Sequence, residues 1–272
     1  RNDIAIVKVW NKEMIDKMVK VISASGEELS GQILERGGYW GHSFVSIAFP
    51  VKDLPATGYK IYTVMQSDTP IEQTTSINTN QVNMIENEFF KIEVDQKNGG
   101  ISSLVDKRTG YELVPEGKRI GVLQWLLEEP HGMTAWEIGK VIKQMDITED
   151  TRVEIGNKGP HIASIRIHQK LNESRFTTEI SLKAGLPRVD FSLNINWLER
   201  GSPEVGVPML KVSIPVALKA SSAKFEIPCG YIERPTDGNE VPALKWADLT
   251  GDRLDGKGKI GITLLNESKY GH

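Results

Sequence analysis

Short runs of alternating apolar and polar residues, separated by glycine and proline turns, recur through most of this 272-residue chain. The clearest run places Phe191, Leu193, Ile195 and Trp197 on one side of an extended segment, with polar residues between them. A period of two is typical of a β-strand with one buried face, because successive side chains of a strand point to opposite faces. The pattern predicts an all-β chain whose core includes these four side chains.

Other segments show the same strand character. The alternation at residues 90–94, the turn Asn98-Gly99-Gly100 and the apolar run 101–105 predict a β-hairpin. Residues 14–22 fit either a helix or a strand, because their apolar positions satisfy both periods. Apolar and β-branched runs predict further strands at 4–10, 44–49, 59–64, 152–155, 162–171, 176–182, 210–216 and 260–265.

Residues 67–81 are rich in Thr, Ser, Asn and Gln, show no period, and predict a linker. We therefore expect two domains, a small β-sandwich over residues 1–80 and a large β domain over 81–272. The chain begins with Arg1 and not with Met. This suggests a piece of a longer protein, and we expect the large domain to be truncated at its C-terminal end.

Composition excludes several classes of partner. The net charge of −3 and the pI near 6.0 provide no excess of positive charge for binding nucleic acid. No apolar run approaches the length of a membrane span, so we expect no membrane partner. The single cysteine, Cys229, excludes an internal disulfide, is expected to be buried, and is consistent with a reducing, cytoplasmic location.

Two segments carry side chains suited to binding a sugar. Residues 225–248 place Tyr231, Glu233 and Arg234 in a predicted loop between two apolar runs, and such loops commonly present functional groups. A solvated turn held by an Arg–Glu pair is the alternative. The second segment, residues 124–137, contains Trp125 and His131 beside two glutamates. Aromatic rings stack on sugars and carboxylates accept hydroxyl hydrogen bonds. Trp125 fits either role equally, whereas core packing is favoured for the nearby tryptophan at 136.

Four stretches together resemble the C-terminal β region of glycoside hydrolase family 38, the α-mannosidases. The most specific is I-P-C-G-Y-I-E-R-P-T-D-G-N-E-V-P-A-L-K-W-A-D, which ends at Asp248. The others are the segment Glu86–Val114, the segment G-M-T-A-W-E-I-G at Gly132–Gly139, and G-I-T-L-L-N-E-S-K-Y-G-H at Gly261–His272. The resemblance implies that residues 81–272 form a galactose-mutarotase-like supersandwich. It also implies that the parent protein is a zinc-dependent retaining α-mannosidase.

In that family the zinc ligands and the nucleophilic aspartate lie in an N-terminal catalytic domain, in motifs that include a His-x-Asp pair. None of the five histidines here has Asp two positions later. We therefore assign no catalytic residue, metal ligand or cofactor to this chain, and expect zinc only in the parent's catalytic domain. The resemblance implies that the β domains pack on that catalytic domain and contribute loops to the rim of the mannoside-binding cleft. The candidate rim residues are Trp125, His131, Tyr231, Glu233 and Arg234.

Three alternatives stay open. A free-standing carbohydrate-binding module would bind mannosides without catalysis. An aldose-epimerase-like enzyme would use His168, which shares a predicted strand face with Ser164 and Arg166. The acidic residues at 248–256 match calcium-loop spacing poorly, so a solvated hairpin is favoured there over a calcium site.

Overall fold

The computed structural model describes residues 1–14, 16–69, 77–134, 136–267 and 269–272. The described residues form antiparallel strands, one turn of 3-10 helix at Lys12–Met14, and no α-helix. The all-β prediction is therefore confirmed. Among these residues there is no helix long and apolar enough to cross a membrane. Clustering of contacts divides the chain into two units, residues 1–111 with 119–214 and residues 112–118 with 215–272.

The first unit begins with two three-stranded sheets. Their strands are β1 (Asp3–Val9), β2 (Met18–Ser23), β3 (Glu28–Ser30), β4 (Gln32–Tyr39), β5 (His42–Val51) and β6 (Tyr62–Ser67). The sheet orders are β1-β5-β4 and β3-β2-β6, and a shared apolar core that includes Val21, Val45 and Ile47 lies between them. The ambiguous segment 14–22 thus contributes a strand, because Val19 and Val21 point into this core on alternate positions.

A meander follows, with strands β7 (Asn78–Gln81), β8 (Met84–Glu86), β9 (Phe90–Val94) and β10 (Ile101–Asp106). The predicted hairpin at 90–105 is confirmed by the pairing of β9 with β10. The linker prediction for 67–81 is wrong at its end, where residues 78–81 pair with β8 through backbone hydrogen bonds despite their polar side chains. Residues 70–76 of that segment lie outside the described residues. β11 (Tyr111–Glu112) stands at the division between the units.

Two further sheets complete the first unit. One has the order β13-β12-β18, and the other has the order β14-β15-β16-β17. Their bounds are β12 Val122–Glu128, β13 Val141–Asp146, β14 Glu149–Lys158, β15 Ile162–Leu171, β16 Ser174–Lys183, β17 Val189–Asn196 and β18 Val207–Ser213. Leu123, Leu171 and Phe176 belong to one buried cluster, so the two sheets share a core.

The first two sheets are fastened to β15 by a polar contact, which we call the Gln32 latch. The Gln32 side-chain Nε2 donates to the Ile162 carbonyl at 2.8 Å, and its Oε1 accepts from the amides of His161 at 2.8 Å and Ile162 at 2.7 Å. The His161 ring contacts the Ser30 hydroxyl and carbonyl at 3.0 and 2.8 Å. Ile4 and Ala48 pack on Ile162 beside these bonds. All four bonded residues are buried, so the latch is shielded from solvent.

The second unit contains a sheet in which β22 (Trp246–Arg253) pairs with β19 (Leu218–Lys219), β20 (Ser222–Ile227) and β23 (Lys259–Leu265). β21 (Gly230–Pro235) pairs with β20 and forms the edge. Phe225, Ala223 and Ala243 form the small core on one face of this sheet.

The burial predicted for Phe191, Leu193 and Ile195 is wrong, because these side chains are 42%, 37% and 37% exposed. The β16–β17 register pairs Ile195 with Phe176 and Phe191 with Ile180, and both partners are buried. The exposed side chains of β17 therefore lie on the same face of the sheet as these buried residues. β17 is the edge strand of its sheet, so only its β16 side is covered. The alternation correctly predicts the face of the sheet on which each side chain lies, but it does not predict how deeply that face is buried.

Candidate functional site

The first candidate site is the loop between β12 and β13, residues 129–140, which is held from below by Glu128. This carboxylate is buried, and its Oε2 accepts from the Gly139 amide at 2.7 Å and lies 2.7 Å from Nε2 of His131. The other ring nitrogen of His131 lies 2.7 Å from the Gly132 carbonyl. Both neighbours of the ring are acceptors, so only the doubly protonated imidazolium satisfies them both. The hydrogen bond to Glu128 accordingly raises the pKa of His131.

Close packing reinforces this contact, which we call the Glu128 clasp. A Cβ added at Gly139 would lie 2.5 Å from the His131 ring. Any side chain larger than hydrogen at this position therefore displaces the ring from the carboxylate. Lys211 is close enough to Glu128 to feel its charge, although burial lowers the pKa of this lysine. The clasp fixes both ends of the loop at one buried anion.

The two tryptophans of this region differ in exposure. Trp136 is 82% exposed on the loop, so the core packing expected for it is wrong. Trp125 lies within β12 and packs beside the cluster that contains Leu123 and Phe176. The indole Nε1 of Trp125 is buried and has no acceptor among the described residues, and Nζ of Lys143 lies 5.4 Å from the ring centroid. Trp136 is therefore the ring presented to solvent, and the sequence analysis missed it.

The second candidate site is the β20–β21 hairpin, where the prediction of a projecting loop at 230–235 is wrong. These residues form β21, and the turn lies at Pro228 and Cys229. Cys229 adopts a φ of 62° and is exposed, so the expectation of a buried cysteine is also wrong. The two-residue turn closes the hairpin before Gly230, which leaves the following polar residues inside the paired strand.

The register of this hairpin separates the three candidate residues. Tyr231 and Glu233 lie opposite Glu226 and Lys224, so both point to the face away from the core. Arg234 points to the other face, where its guanidinium carbon lies 5.3 Å from the Phe225 ring centroid. Its Nη1 donates to the carbonyl of Pro242 at 3.2 Å. The structure thus brings Tyr231 and Glu233 together and gives Arg234 a separate, partly structural environment.

The outward face of β20–β23 combines aromatic and polar groups. The rings of Tyr231 and Trp246 have centroids 6.3 Å apart, and Nζ of Lys224 lies 5.2 Å from the Tyr231 centroid. Ser222 donates its hydroxyl hydrogen to the Glu233 carboxylate. Asp248 accepts from the hydroxyls of two threonines, at 2.9 Å from Thr250 and 2.7 Å from Thr263. Trp246 and Asp248 share this face with the predicted residues, and their position there follows from pairing that the sequence does not show.

Two of the acidic residues at 248–256 are occupied by protein donors. Asp248 binds the threonines described above. Asp255 accepts from Arg253 at 3.0 and 2.6 Å and from the Lys257 amide at 3.0 Å, which lowers its pKa. Within the described residues, no group of three or more His, Cys, Asp or Glu side chains is arranged to hold a metal ion.

The polar face of β15 is a third cluster. His168 lies 3.1 Å from Glu154 and 3.2 Å from the Thr177 hydroxyl, and Arg166 lies 3.4 Å from Glu179. The opposite face of the strand is buried, as the alternation predicts. Both ring nitrogens of His168 are in hydrogen bonds to protein groups, so neither is directed at an open substrate position.

Comparison with known proteins gives these sites their context. The family description "Glycosyl hydrolases family 38 C-terminal domain" matches residues 85–272. The chain belongs to this family. Alpha-mannosidase G of Dictyostelium discoideum is 29% identical over 205 residues, covering 70% of this chain and 18% of the relative. Alpha-mannosidase 2C1 of Homo sapiens is 27% identical over 205 residues, covering 69% and 18%.

A similar fold occurs in a solved structure, that of an alpha-mannosidase from Enterococcus faecalis V583. The TM-score is 0.65 at 14% identity, and the match covers 98% of this chain and 38% of the other. The family 38 C-terminal domain thus accounts for residues 85–272, while the fold likeness extends over nearly the whole chain. The chain spans about a fifth of the length of the curated relatives, which are much longer proteins.

Proposed function

We propose that this chain is the non-catalytic β portion of a retaining α-mannosidase, and that it packs on the catalytic domain of the same polypeptide. The observation that carries the proposal is the family match over residues 85–272 together with relatives of which the chain spans only 18%. The catalytic step, hydrolysis of α-linked mannosides, would belong to the domain that supplies zinc and the nucleophile. The described residues contain no metal-binding group of their own, so we assign this chain no step that passes through zinc.

Two exposed apolar surfaces support packing against another domain. One is the face of β17 with Phe191, Leu193 and Ile195, and the other is the clasped loop with Met133 and Trp136. Contiguous apolar surface on a soluble protein commonly marks a protein contact. Because the clasp ties His131 and Gly139 to one carboxylate, part of the ordering cost of presenting the exposed Trp136 to a partner is already met.

The rim of the mannoside-binding cleft is the second part of the proposal. Tyr231 and Glu233 supply an exposed ring and a carboxylate on one face. His131, whose two ring nitrogens bond Glu128 and Gly132, would act by holding its own loop. Arg234 would act by holding the hairpin through Pro242, and Trp125 by supporting the loop from beneath. We also propose a cytoplasmic location, because the single free thiol of Cys229 is exposed and suits a reducing compartment.

The first experiment assays the purified 272-residue chain against an aryl α-mannoside, with and without added zinc. We expect no turnover under either condition, because the chain lacks a His-x-Asp pair. Zinc-dependent turnover by the pure chain would contradict the assignment of a non-catalytic role.

The second experiment places Tyr231→Phe in the full-length enzyme. If the phenol hydroxyl bonds substrate, we expect kcat/KM to fall about two- to tenfold, the effect of one lost hydrogen bond. Tyr270→Phe is the matched control, since Tyr270 is equally exposed at 59% against 57% and lies in the same unit. Equal activity of both variants and the parent would remove Tyr231 from the rim.

A further inference from the structure

A surface cavity of about 520 Å³ lies in the first unit, outside the range that the family description covers. It is lined by the β2–β3 hairpin, by the end of β5 and the residues after it, and by residues 59–62. We call it the β2–β3 cavity. Its volume is within the range of about 300–1,000 Å³ that is usual for sites that bind small molecules. Neither the family match nor the proposed mannosidase activity gives it a role.

One wall of the cavity is aromatic and apolar. Tyr59 is 81% exposed and Ile61 is 64% exposed, although both belong to the segment that leads into β6. Tyr62 is half-buried, and its ring is held 5.3 Å from that of Phe49 in the core of the small sheets. The wall therefore combines one ring fixed by packing with one exposed ring.

The charged groups of the cavity balance each other. Lys52 and Lys60 carry two positive charges, while Glu27 and Asp53 carry two negative ones. Lys52 lies 3.7 Å from Glu27, and Nζ of Lys60 donates to the Lys52 carbonyl at 2.7 Å. Each ammonium has three donors, so these contacts leave donors for a ligand. A lining without net charge gives no overall electrostatic preference for an anionic or a cationic ligand.

The β2–β3 hairpin also lines the cavity with hydroxyl groups. The hydroxyls of Ser23 and Ser25 lie 2.9 Å apart, and the Glu27 amide donates to Ser23 Oγ at 3.1 Å. These contacts hold the two serines in a defined turn while leaving each oxygen further hydrogen-bonding capacity. The cavity therefore offers donors and acceptors together, next to aromatic rings.

We propose that the β2–β3 cavity binds a neutral saccharide. A pyranose has apolar C–H faces that stack on aromatic rings, and hydroxyls that both donate and accept hydrogen bonds. It carries no charge, which matches the balanced charge of the lining. The saccharide class follows from the lining alone; only the choice of a mannoside as the first probe rests on the proposed function.

The test is binding of methyl α-mannoside, methyl β-glucoside and methyl β-galactoside to the 272-residue chain, measured by saturation-transfer NMR and titration. Tyr59→Ala is expected to weaken binding about three- to tenfold, the usual worth of a ring stacking contact. Tyr39→Ala is the matched control, because Tyr39 is 65% exposed on β4 and does not line the cavity. Its affinity should equal that of the parent.

A second variant tests the polar side. Lys52→Met keeps the aliphatic stem and removes the ammonium, and we expect about a two- to tenfold loss of affinity. Inorganic phosphate at the same concentration should neither bind nor displace the sugar. Saccharide binding that survives Tyr59→Ala unchanged, or preferential binding of phosphate, would overturn the proposal.

The failure of this proposal is distinguishable from failure of the mannosidase assignment. Binding of the glucoside or galactoside without the mannoside would keep the saccharide site and remove its link to mannosides. Absence of binding by all three sugars at millimolar concentrations would overturn the site. In that case the inactive chain and the effect of Tyr231→Phe in the full-length enzyme would still test the proposed function independently.

Discussion

Replacing Gln32 by Met tests whether the latch couples the first two sheets to β15. The substitution keeps the length of the side chain and removes its amide, so the backbone N–H groups of His161 and Ile162 lose their acceptor. The Ile162 carbonyl still accepts from the Gly159 amide at 2.8 Å. Each buried group left unsatisfied costs about 1–3 kcal/mol. Because the methionine fills the space, water has little room to replace the amide. We expect a loss of about 2–4 kcal/mol, since two groups at the low end of that range already total about 2 kcal/mol.

Urea denaturation combined with amide hydrogen exchange measures this effect. The unfolding midpoint should fall, and the amides of His161 and Ile162 should exchange much faster than those in the middle of β15. Gln66→Met is the matched control, because Gln66 lies exposed on β6 and surface substitutions usually change stability by within about 0.5 kcal/mol. If Gln32→Met behaves like Gln66→Met, the hydrogen bonds of the latch contribute nothing to stability and the reasoning is refuted.

Four further predictions concern stability and pH. Trp197→Ala should lower the free energy of unfolding by about 2–3 kcal/mol in chemical denaturation, which is below the range for fully buried aromatic residues. The reason is that Trp197 is half-buried, with its ring edge-on to that of Phe176 at a centroid distance of 6.2 Å. An unchanged midpoint would show that this contact does not stabilise the protein. Burial lowers the pKa of His161, so the unfolded chain takes up a proton on this ring at a higher pH than the folded chain does. Stability should therefore fall as the pH drops from 7 to 5. His161→Gln should make stability depend less on pH over this range. The pKa of His131 is raised, so its contribution to the free energy of unfolding is full below about pH 6.5 and is lost at higher pH. This opposes the effect of His161, and His131→Gln should therefore make the dependence of stability on pH steeper. Glu128→Gln should bring the His131 pKa down towards its ordinary value in an NMR titration, and an unchanged pKa would exclude the clasp as the cause.

Local pattern was sufficient for much of the fold. The alternation in β9 and β15 identified each strand and the direction of each side chain, because the period of two is fixed by backbone geometry. It could not predict how deeply a strand is buried, because burial depends on sheets that are distant in sequence. Phe191 and Ile195 therefore face the predicted side of β17 and are still exposed.

For the candidate sites, too, the sequence predicted some features and not others. Residue types marked both segments, but proline and glycine near Tyr231 favoured a loop where pairing with β20 makes a strand. The core packing expected for Trp136 was wrong and the role of Trp125 was left open for the same reason, because burial of a ring is decided by neighbours distant in sequence, such as Phe176. The buried contact of Glu128 with His131 has a spacing of three residues but gives no signal that distinguishes it from an exposed pair.

The Gln32 latch also affects how this protein can be shortened. The family description begins at residue 85, which makes that position an obvious starting point for expressing the remainder alone. A chain that starts there would expose Ile162 and would leave the His161 amide without an acceptor. It would also lack β7, so that the remainder of β8 becomes an unpaired sheet edge, which natural proteins normally shield from intermolecular pairing. We expect such a shortened protein to aggregate or to be degraded on expression, and we expect protease digestion of the full 272 residues to release no stable fragment from residue 85 onward.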